Sequence, residues 1–299
     1  MLFFTISVRV FIEQITQELE PWYESRSHAQ RVSWWLLEKL TGKTMTQLIV
    51  DTTITLTNKQ HKELKNWIHA HTQEYYPLHY VLGTVPFGPL DLLVEPPTLI
   101  PRPETEEWCA HLLNTMLTHI AATTPLRILD LCTGSGCIAL WFAKTFPHAT
   151  VWGVDIADSA LSLAKKNAAR NNLFNVHFLK SDLFCLLNQD SPFDLIISNP
   201  PYVSATAWHE LSETITRWED RGALVADNNG LALIIQIVAQ APHYLKKHSE
   251  LTKQGLPRLV VEIGFDQKVA TENLFVLAGF DKVRTLTDSN NRDRVVIGL

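Results

Sequence analysis

The sequence predicts an α/β protein: a doubly wound, mostly parallel sheet closed by an antiparallel terminal hairpin, preceded by a small α-helical domain. Three observations carry this reading. From residue 126 onward, short apolar runs alternate with helical stretches, as in a parallel sheet. The last two runs, 282–286 and 294–298, are too close for a helical crossover, so they pair as a hairpin. Residues 1–76 instead repeat apolar side chains at spacings of three and four.

Taken in order, Phe11, Ile15, Leu19 and Trp22 form a first helical stripe. Trp34, Trp35, Leu37 and Leu40 form a second, stopped at Gly42. Leu64, Trp67, Ile68 and His71 form a third after the cap-like pair Thr57-Asn58. These aromatics read first as core packing. Residues 77–103 hold seven prolines, with Gly83 and Gly88 beside a strand-like alternation, and read as a hairpin and linker rather than a helix. The expected domains are therefore 1–76, 77–103 and 104–299. In the last of these, strands are expected at 127–131, 150–154, 176–179, 193–197 and 258–263. The helices between them fall at 135–146, 158–171 with Asp158 as N-cap, 231–245 and 267–277.

Composition narrows the function. The chain has 299 residues and a net charge of −5, which disfavours a protein whose main task is gripping phosphate backbones. Residues 1–84 carry eight Lys/Arg and eight Asp/Glu, so all of the excess acid falls in 85–299. Cys109, Cys132, Cys137 and Cys185 form no C-x-x-C pair, and the twelve histidines are scattered, so no metal is expected and a reduced, cytoplasmic chain is the plain reading. The apolar start is short and interrupted by Arg9 and Glu13, which argues against a signal peptide, and no apolar run is long enough to span a membrane.

In such a sheet, ligands sit beyond the carboxyl ends of the strands. The first strand runs into Cys132, Thr133, Gly134, Ser135 and Gly136. Glycines there let backbone approach a ligand, and the helix that follows offers free N–H groups. Ala139 stands where a dinucleotide fingerprint has its last glycine, a replacement that fingerprint tolerates, so spacing alone leaves a dinucleotide open. The second strand ends at Asp155, where a carboxylate can accept from both hydroxyls of a ribose. The third is followed by Asp182, suited to an adenine amine, with Leu183 and Phe184 to lie against the ring. Together these residues read as a nucleoside site.

The fourth strand is followed by Ser198-Asn199-Pro200-Pro201-Tyr202. The prolines donate no N–H, so the Asn199 side-chain oxygen and the Pro200 carbonyl are suited to accept from one NH₂ group. Tyr202 offers a flat face to a planar amide or base. No nucleophile–base pair is apparent, so the constellation is unlike a hydrolase's and no covalent intermediate is expected.

These residues carry a resemblance that covers nearly the whole chain. PLHYVLG (77–83), LIPRPETE (99–106), ILDLCTGSGCIAL (128–140), VD (154–155), SDLF (181–184), SNPPY (198–202), ALVAD (223–227), VEIG (261–264) and RVVIG (294–298) together resemble the release factor glutamine methyltransferases. The N-P-P-Y sequence alone is shared with enzymes that methylate exocyclic amines of bases; P-R-P-E-T-E is more restrictive. The resemblance implies a Rossmann-like fold dependent on S-adenosylmethionine, acting on the glutamine of the Gly-Gly-Gln motif in class I release factors. It implies that Cys132 to Gly136 hold the methionine part of the cofactor, Asp155 the ribose, and Asp182 with Leu183 the adenine. Asn199, Pro200, Pro201 and Tyr202 would hold the glutamine amide, with Arg102 and Glu104 helping to close the site. The helical front domain would dock the protein substrate, the enzyme acting as a monomer without direct nucleic-acid contact.

The chain departs from the family pattern at Cys132 and Asn291, where glycine is usual, and at Trp218 and Asp220, where tyrosine and proline are usual. Residues 246–257 are longer than the usual turn. The rival readings are a nucleic-acid base methyltransferase with the same N-P-P-Y chemistry and a non-catalytic cofactor-binding scaffold.

Overall fold

A computed structural model describes residues 3–299, which separate into two compact units, one ending at Gly83 and one running over Thr84–Leu299.

The first unit is mostly helical, with α1 (Val8–Leu19), α2 (Arg26–Thr41), α3 (Met45–Asp51), α4 (Asn58–Gln73) and α5 (Leu78–Leu82). Its helix ends follow from local chemistry. Thr44 and Thr57 each close a capping box, with Gln47 and Gln60 respectively, and Gly42 ends α2 in the left-handed conformation at φ 69°. Phe11, Ile15, Leu19, Leu36, Leu37, Leu64 and Ile68 meet in its core.

Three details differ from the sequence expectation. The unit also contains a two-stranded antiparallel ribbon, β1 (Phe3–Ser7) with β2 (Thr53–Thr57), registered from Phe3 opposite Thr57 to Ser7 opposite Thr53. Its partners are far apart in sequence, so no local periodicity reports it. Trp22 and Trp35 are not core residues but stand 44% and 37% exposed. Pro21 turns the chain into a 3₁₀ segment at Glu20–Trp22, which carries Trp22 off the stripe of α1. Residues 78–82, expected as part of a linker, form α5, ended by the left-handed Gly83.

The second unit opens with the hairpin β3 (Thr84–Phe87) and β4 (Leu90–Leu93), followed by α6 (Pro103–Leu117). Gly88 at the turn is obligatory: a Cβ there would lie 2.5 Å from the Trp141 ring, which Phe87 meets edge-on. Helix α6 has Pro103 at its first turn and buries Thr105, Trp108, Leu112 and Met116 along one face.

Then come β5 (Arg127–Leu131), α7 (Cys137–Thr145), β6 (Thr150–Asp155), α8 (Asp158–Arg170), β7 (Val176–Lys180) and β8 (Leu195–Ser198). A one-turn helix α9 (Glu213–Thr216), α10 (Ala232–Tyr244), a short α11 (Glu250–Lys253) within the long 246–257 segment, β9 (Leu259–Glu262), α12 (Lys268–Leu277), β10 (Val283–Thr287) and β11 (Asp293–Gly298) complete the chain. The N-cap of α8 is Ala157, not Asp158, which lies inside the first turn and pairs with Lys180.

The seven strands order as β10-β11-β9-β8-β5-β6-β7. Pairing is parallel from β9 through β7, while β11 runs antiparallel to both β9 and β10. All four residues of β8 and of β9 are buried, and each strand opens with three apolar residues, 195–197 and 259–261. Chain order reverses at β5: β6 and β7 lie on one side, β8 and β9 on the other. Such a reversal opens a crevice at the carboxyl ends of the two central strands. Among the described residues, no helix is long and apolar enough to cross a membrane.

Candidate active site

The register of the sheet brings the sequence motifs to one edge. Leu131 at the end of β5 pairs with Ser198 at the end of β8 and with Val154 on β6, and Asp155 pairs with Lys180 at the end of β7. The segments beginning at Cys132, Ile156, Ser181 and Asn199 therefore leave the sheet side by side.

After β5 the ladder continues one step, with Thr133 N–H donating to the Val154 carbonyl at 2.9 Å. Below it lies Asp130, wholly buried, whose Oδ2 accepts from Thr133 Oγ1 at 2.6 Å and from Ala139 N–H at 3.1 Å. Asp130 thus ties the strand end, the loop and the first turn of α7 together. Burial pushes its carboxyl up to about 7, the two hydrogen bonds opposing that rise. The two glycines play different parts. At Gly134, with φ 55°, the space where a Cβ would stand is open. At Gly136, with φ 83°, a Cβ would come within 3.1 Å of Ala164 on α8, so this glycine serves conformation and helix packing.

Cys132 adopts φ 58°, in the left-handed region. The backbone therefore keeps the conformation that a glycine would take freely, and the side chain is accommodated at a cost of about 1–2 kcal/mol. Burial pushes its thiol well above the ordinary range. Asn291 likewise sits at φ 58°, where asparagine is among the best tolerated residues.

A cavity of about 290 Å³ opens above the strand ends, lined by Cys132, Gly134, Asp155, Asp182, Leu183, Asn199 and Pro201 among others. A smaller recess of about 30 Å³ shares Cys132, Gly134 and Asn199 with it and adds Arg102, Thr105, Thr133 and Ser135. Asp155 Oδ2 accepts from Gly134 N–H and Oδ1 from Ala157 N–H, both at 2.9 Å, while burial raises its pKa. Each carboxylate oxygen keeps a lone pair beyond those bonds. Leu183 takes a left-handed backbone, φ 44°, with its side chain on the cavity.

Phe184 is not a cavity residue: it is wholly buried and stacks on Tyr244 at 4.6 Å between ring centres. Leu183 is buried in the same core cluster as Phe184, and of the two only Leu183 also borders the cavity. Gly136, Glu104, Pro200 and Tyr202 are not among the lining residues of either space. Tyr202 is half-buried, with its hydroxyl donating to Glu262 Oε1 at 3.2 Å and its carbonyl accepting from Gln267 Nε2 at 2.9 Å. Gly230 packs directly against that carbonyl, where a Cβ would clash.

Several lining residues escaped the sequence reading. Pro97, Thr98 and Leu99 form one wall and Asp220, Gly222 and Ala223 another. The two walls are joined by Asp220 N–H donating to the Pro97 carbonyl at 2.7 Å and by Arg102 paired with buried Glu219 at 2.6 Å. Asn167 on α8 was also missed. It is wholly buried, accepts from Leu93 N–H at 2.7 Å, and donates to the Leu93 and Ser135 carbonyls, fastening the glycine loop to β4. Such links leave no local signal, since the partners lie on elements distant in sequence.

A sheet with its last strand reversed, a left-handed glycine loop after its first parallel strand and a proline-rich acceptor loop at the switch point define the Rossmann-like methyltransferase class. A family model described as Methyltransferase small domain matches residues 110–248, and one described as PrmC N-terminal domain matches residues 12–83. The catalytic domain of hMettl16, solved in complex with the MAT2A 3'UTR hairpin 6, aligns with a TM-score of 0.50 at 16% identity, covering 82% of this chain and 84% of that one. That likeness is one of fold. The release factor glutamine methyltransferases of Salmonella typhimurium and Escherichia coli are 38% and 36% identical over 263 residues, 88% of this chain and 89% of each relative. That of Geobacter sulfurreducens is 39% identical over 222 residues, 74% of this chain and 72% of the relative. The chain belongs to the release factor glutamine methyltransferase family.

The left-handed backbone at Cys132 generates a prediction. Cys132→Gly keeps the dissociation constant for S-adenosylmethionine within about tenfold (~1.4 kcal/mol), read by calorimetry. Cys132→Val, β-branched at positive φ, loses about 2 kcal/mol of stability in urea denaturation.

Proposed function

We propose that this chain transfers a methyl group from S-adenosylmethionine to the side-chain amide nitrogen of the glutamine in the Gly-Gly-Gln motif of class I release factors. The observation that carries this reading is the meeting of Gly134, Asp155 and Asn199 on a single cavity at the switch point of the sheet, in a chain of this family.

The residues fit the cofactor. Asp155 has one acceptor position on each oxygen for a vicinal diol. Asp182 and Leu183 stand next along the strand ends for the adenine. Gly134 leaves open space beside the loop from Cys132 to Gly136 for the methionine part, which Thr133 and Ser135 also border. S-adenosylmethionine, when bound, supplies a methyl group already activated by its sulfonium.

The chain's own task is positioning. An amide nitrogen is a weak nucleophile because its lone pair is delocalised. Asn199 Oδ1 and the Pro200 carbonyl accept the two amide hydrogens, which aims the nitrogen and stabilises the positive charge developing on it. Pro201 and Tyr202 bound the amide, and Arg102 and Glu104 belong to the segment that closes over it. Arg102 is held for this by Glu219. The enzyme works as a monomer, needs no metal, and makes no direct nucleic-acid contact, in keeping with its net charge of −5. Four unpaired cysteines accord with a cytoplasmic setting.

The test is to incubate the protein with labelled S-adenosylmethionine and purified class I release factor, then map the methyl group. It is expected on the glutamine of Gly-Gly-Gln; labelling of RNA or DNA but not of the factor defeats the reading. Asn199→Ala should lower turnover at least about a hundredfold while the fold survives, by analogy with lost charge-stabilising acceptors or donors. Near-normal turnover would remove Asn199 from the mechanism.

The helical unit is assigned to docking. It is neutral and displays exposed Trp22 and Trp35, a surface suited to protein rather than phosphate contact. Remote contacts of this kind select one glutamine among many and help orient it. A chain beginning at Thr84 is expected to bind S-adenosylmethionine in calorimetry but to methylate intact release factor at least about tenfold less efficiently. Undiminished activity in a folded truncation would refute the docking role.

A further inference from the structure

Behind the acceptor loop lies a group of polar side chains that the proposed chemistry does not use directly. Glu262, at the end of β9, is 1% exposed. Its Oε2 accepts from Trp108 Nε1 and from Thr105 Oγ1, both at 2.7 Å, and its Oε1 accepts from the Tyr202 hydroxyl at 3.2 Å. Thr105, itself 1% exposed, meets Asn199 Nδ2 at 3.2 Å. Thr105 borders the smaller recess, and Asn199 borders both spaces.

Hydrogen-bond logic fixes the direction of this chain. An indole N–H donates and never accepts, so Glu262 Oε2 is an acceptor toward Trp108. Burial raises the pKa of this carboxyl, and the three donors that converge on it counter that rise by favouring its ionised, acceptor-only form. Thr105 has one hydroxyl hydrogen, and the charged oxygen at 2.7 Å takes it. The Thr105 oxygen then has only lone pairs left for Asn199. Asn199 must turn its NH₂ group to Thr105, and its carbonyl oxygen faces the other way. A terminal amide in a loop is otherwise nearly symmetric and free to flip.

We propose that Thr105 and Glu262 are positioning residues that hold the Asn199 side-chain amide in the one orientation that presents its oxygen to the substrate nitrogen. The same carboxylate anchors Tyr202, so one buried acid sets two members of the acceptor loop. This inference rests on the amide-methylation reading for its consequence in turnover, but the orientation itself is a property of the protein alone.

Two measurements test it. The first compares Thr105→Val, which removes the hydroxyl at constant size, with Thr105→Ser, which keeps it. Thr105→Val should lower kcat for release-factor methylation at least about tenfold, with KM and calorimetric affinity for S-adenosylmethionine within about twofold of the unaltered protein, and Thr105→Ser should restore most of the loss. Turnover in Thr105→Val within about twofold of the unaltered protein, or an equal fall in both variants, overturns the proposal. An unaltered enzyme that methylates no release factor would instead defeat the functional reading. The second measurement needs no substrate: the Asn199 side-chain NH₂ signals in a ¹⁵N-labelled sample, identified by their disappearance in Asn199→Ala. One of the two protons should be protected from exchange in the unaltered protein and in Thr105→Ser. Two freely exchanging protons in the unaltered protein overturn the proposal even where Thr105→Val does not fold.

Discussion

The site depends on the parallel pairing of β5 with β8. Ser198 Oγ donates to the Leu131 carbonyl at 2.9 Å, wholly buried, where the two strands end. That bond locks the register at the point where chain order reverses. One residue beyond it on each strand stand Cys132 and Asn199, the first residues of the glycine loop and of the acceptor loop. A slip of one residue would turn either loop to the opposite face of the sheet. The crevice between the loops follows from topology, and its chemistry from what the sequence places at the two strand ends.

Around this point the protein buries acids and gives each of them protein donors, although one oxygen of Asp130 is left without a partner. Desolvation raises the pKa of Asp130, Asp155, Glu219 and Glu262, and in each case protein donors counter part of the rise. Asp130 is met by Thr133 and Ala139, Asp155 by Gly134 and Ala157, Glu219 by Arg102, and Glu262 by Thr105, Trp108 and Tyr202. Each carboxylate therefore joins segments that would otherwise be independent loops. A buried acid is costly when unpaired, so these links resist loosening more than apolar contacts of similar area would.

Strain collects in the same place. Cys132 and Leu183 both hold left-handed backbone, at φ 58° and 44°, and both line the cavity. Neither residue type favours that region, and each costs about 1–2 kcal/mol that the surrounding packing must offset. Cys132 directly follows β5, which is paired on both sides.

The sequence by itself determined most of the sheet and the candidate site residues that the sheet brings to one edge. Strands such as 127–131 are short apolar runs whose period is local, and Gly134, Asp155, Asp182 and Asn199 are legible because each lies within three residues of the end of such a run. Spacing along the chain then stands in for position along the sheet edge. What tertiary structure alone decided lies in pairings between distant segments. The β1–β2 ribbon, the exclusion of Phe184 from the cavity lining, and the join of the 97–102 and 219–223 walls leave no period in the sequence. Neither does the path from Glu262 through Thr105 to Asn199, since a hydrogen bond between side chains on three separate elements exists only after the backbone has brought them within about 3 Å. The sequence names the asparagine; the packed interior decides which end of its amide faces the cavity.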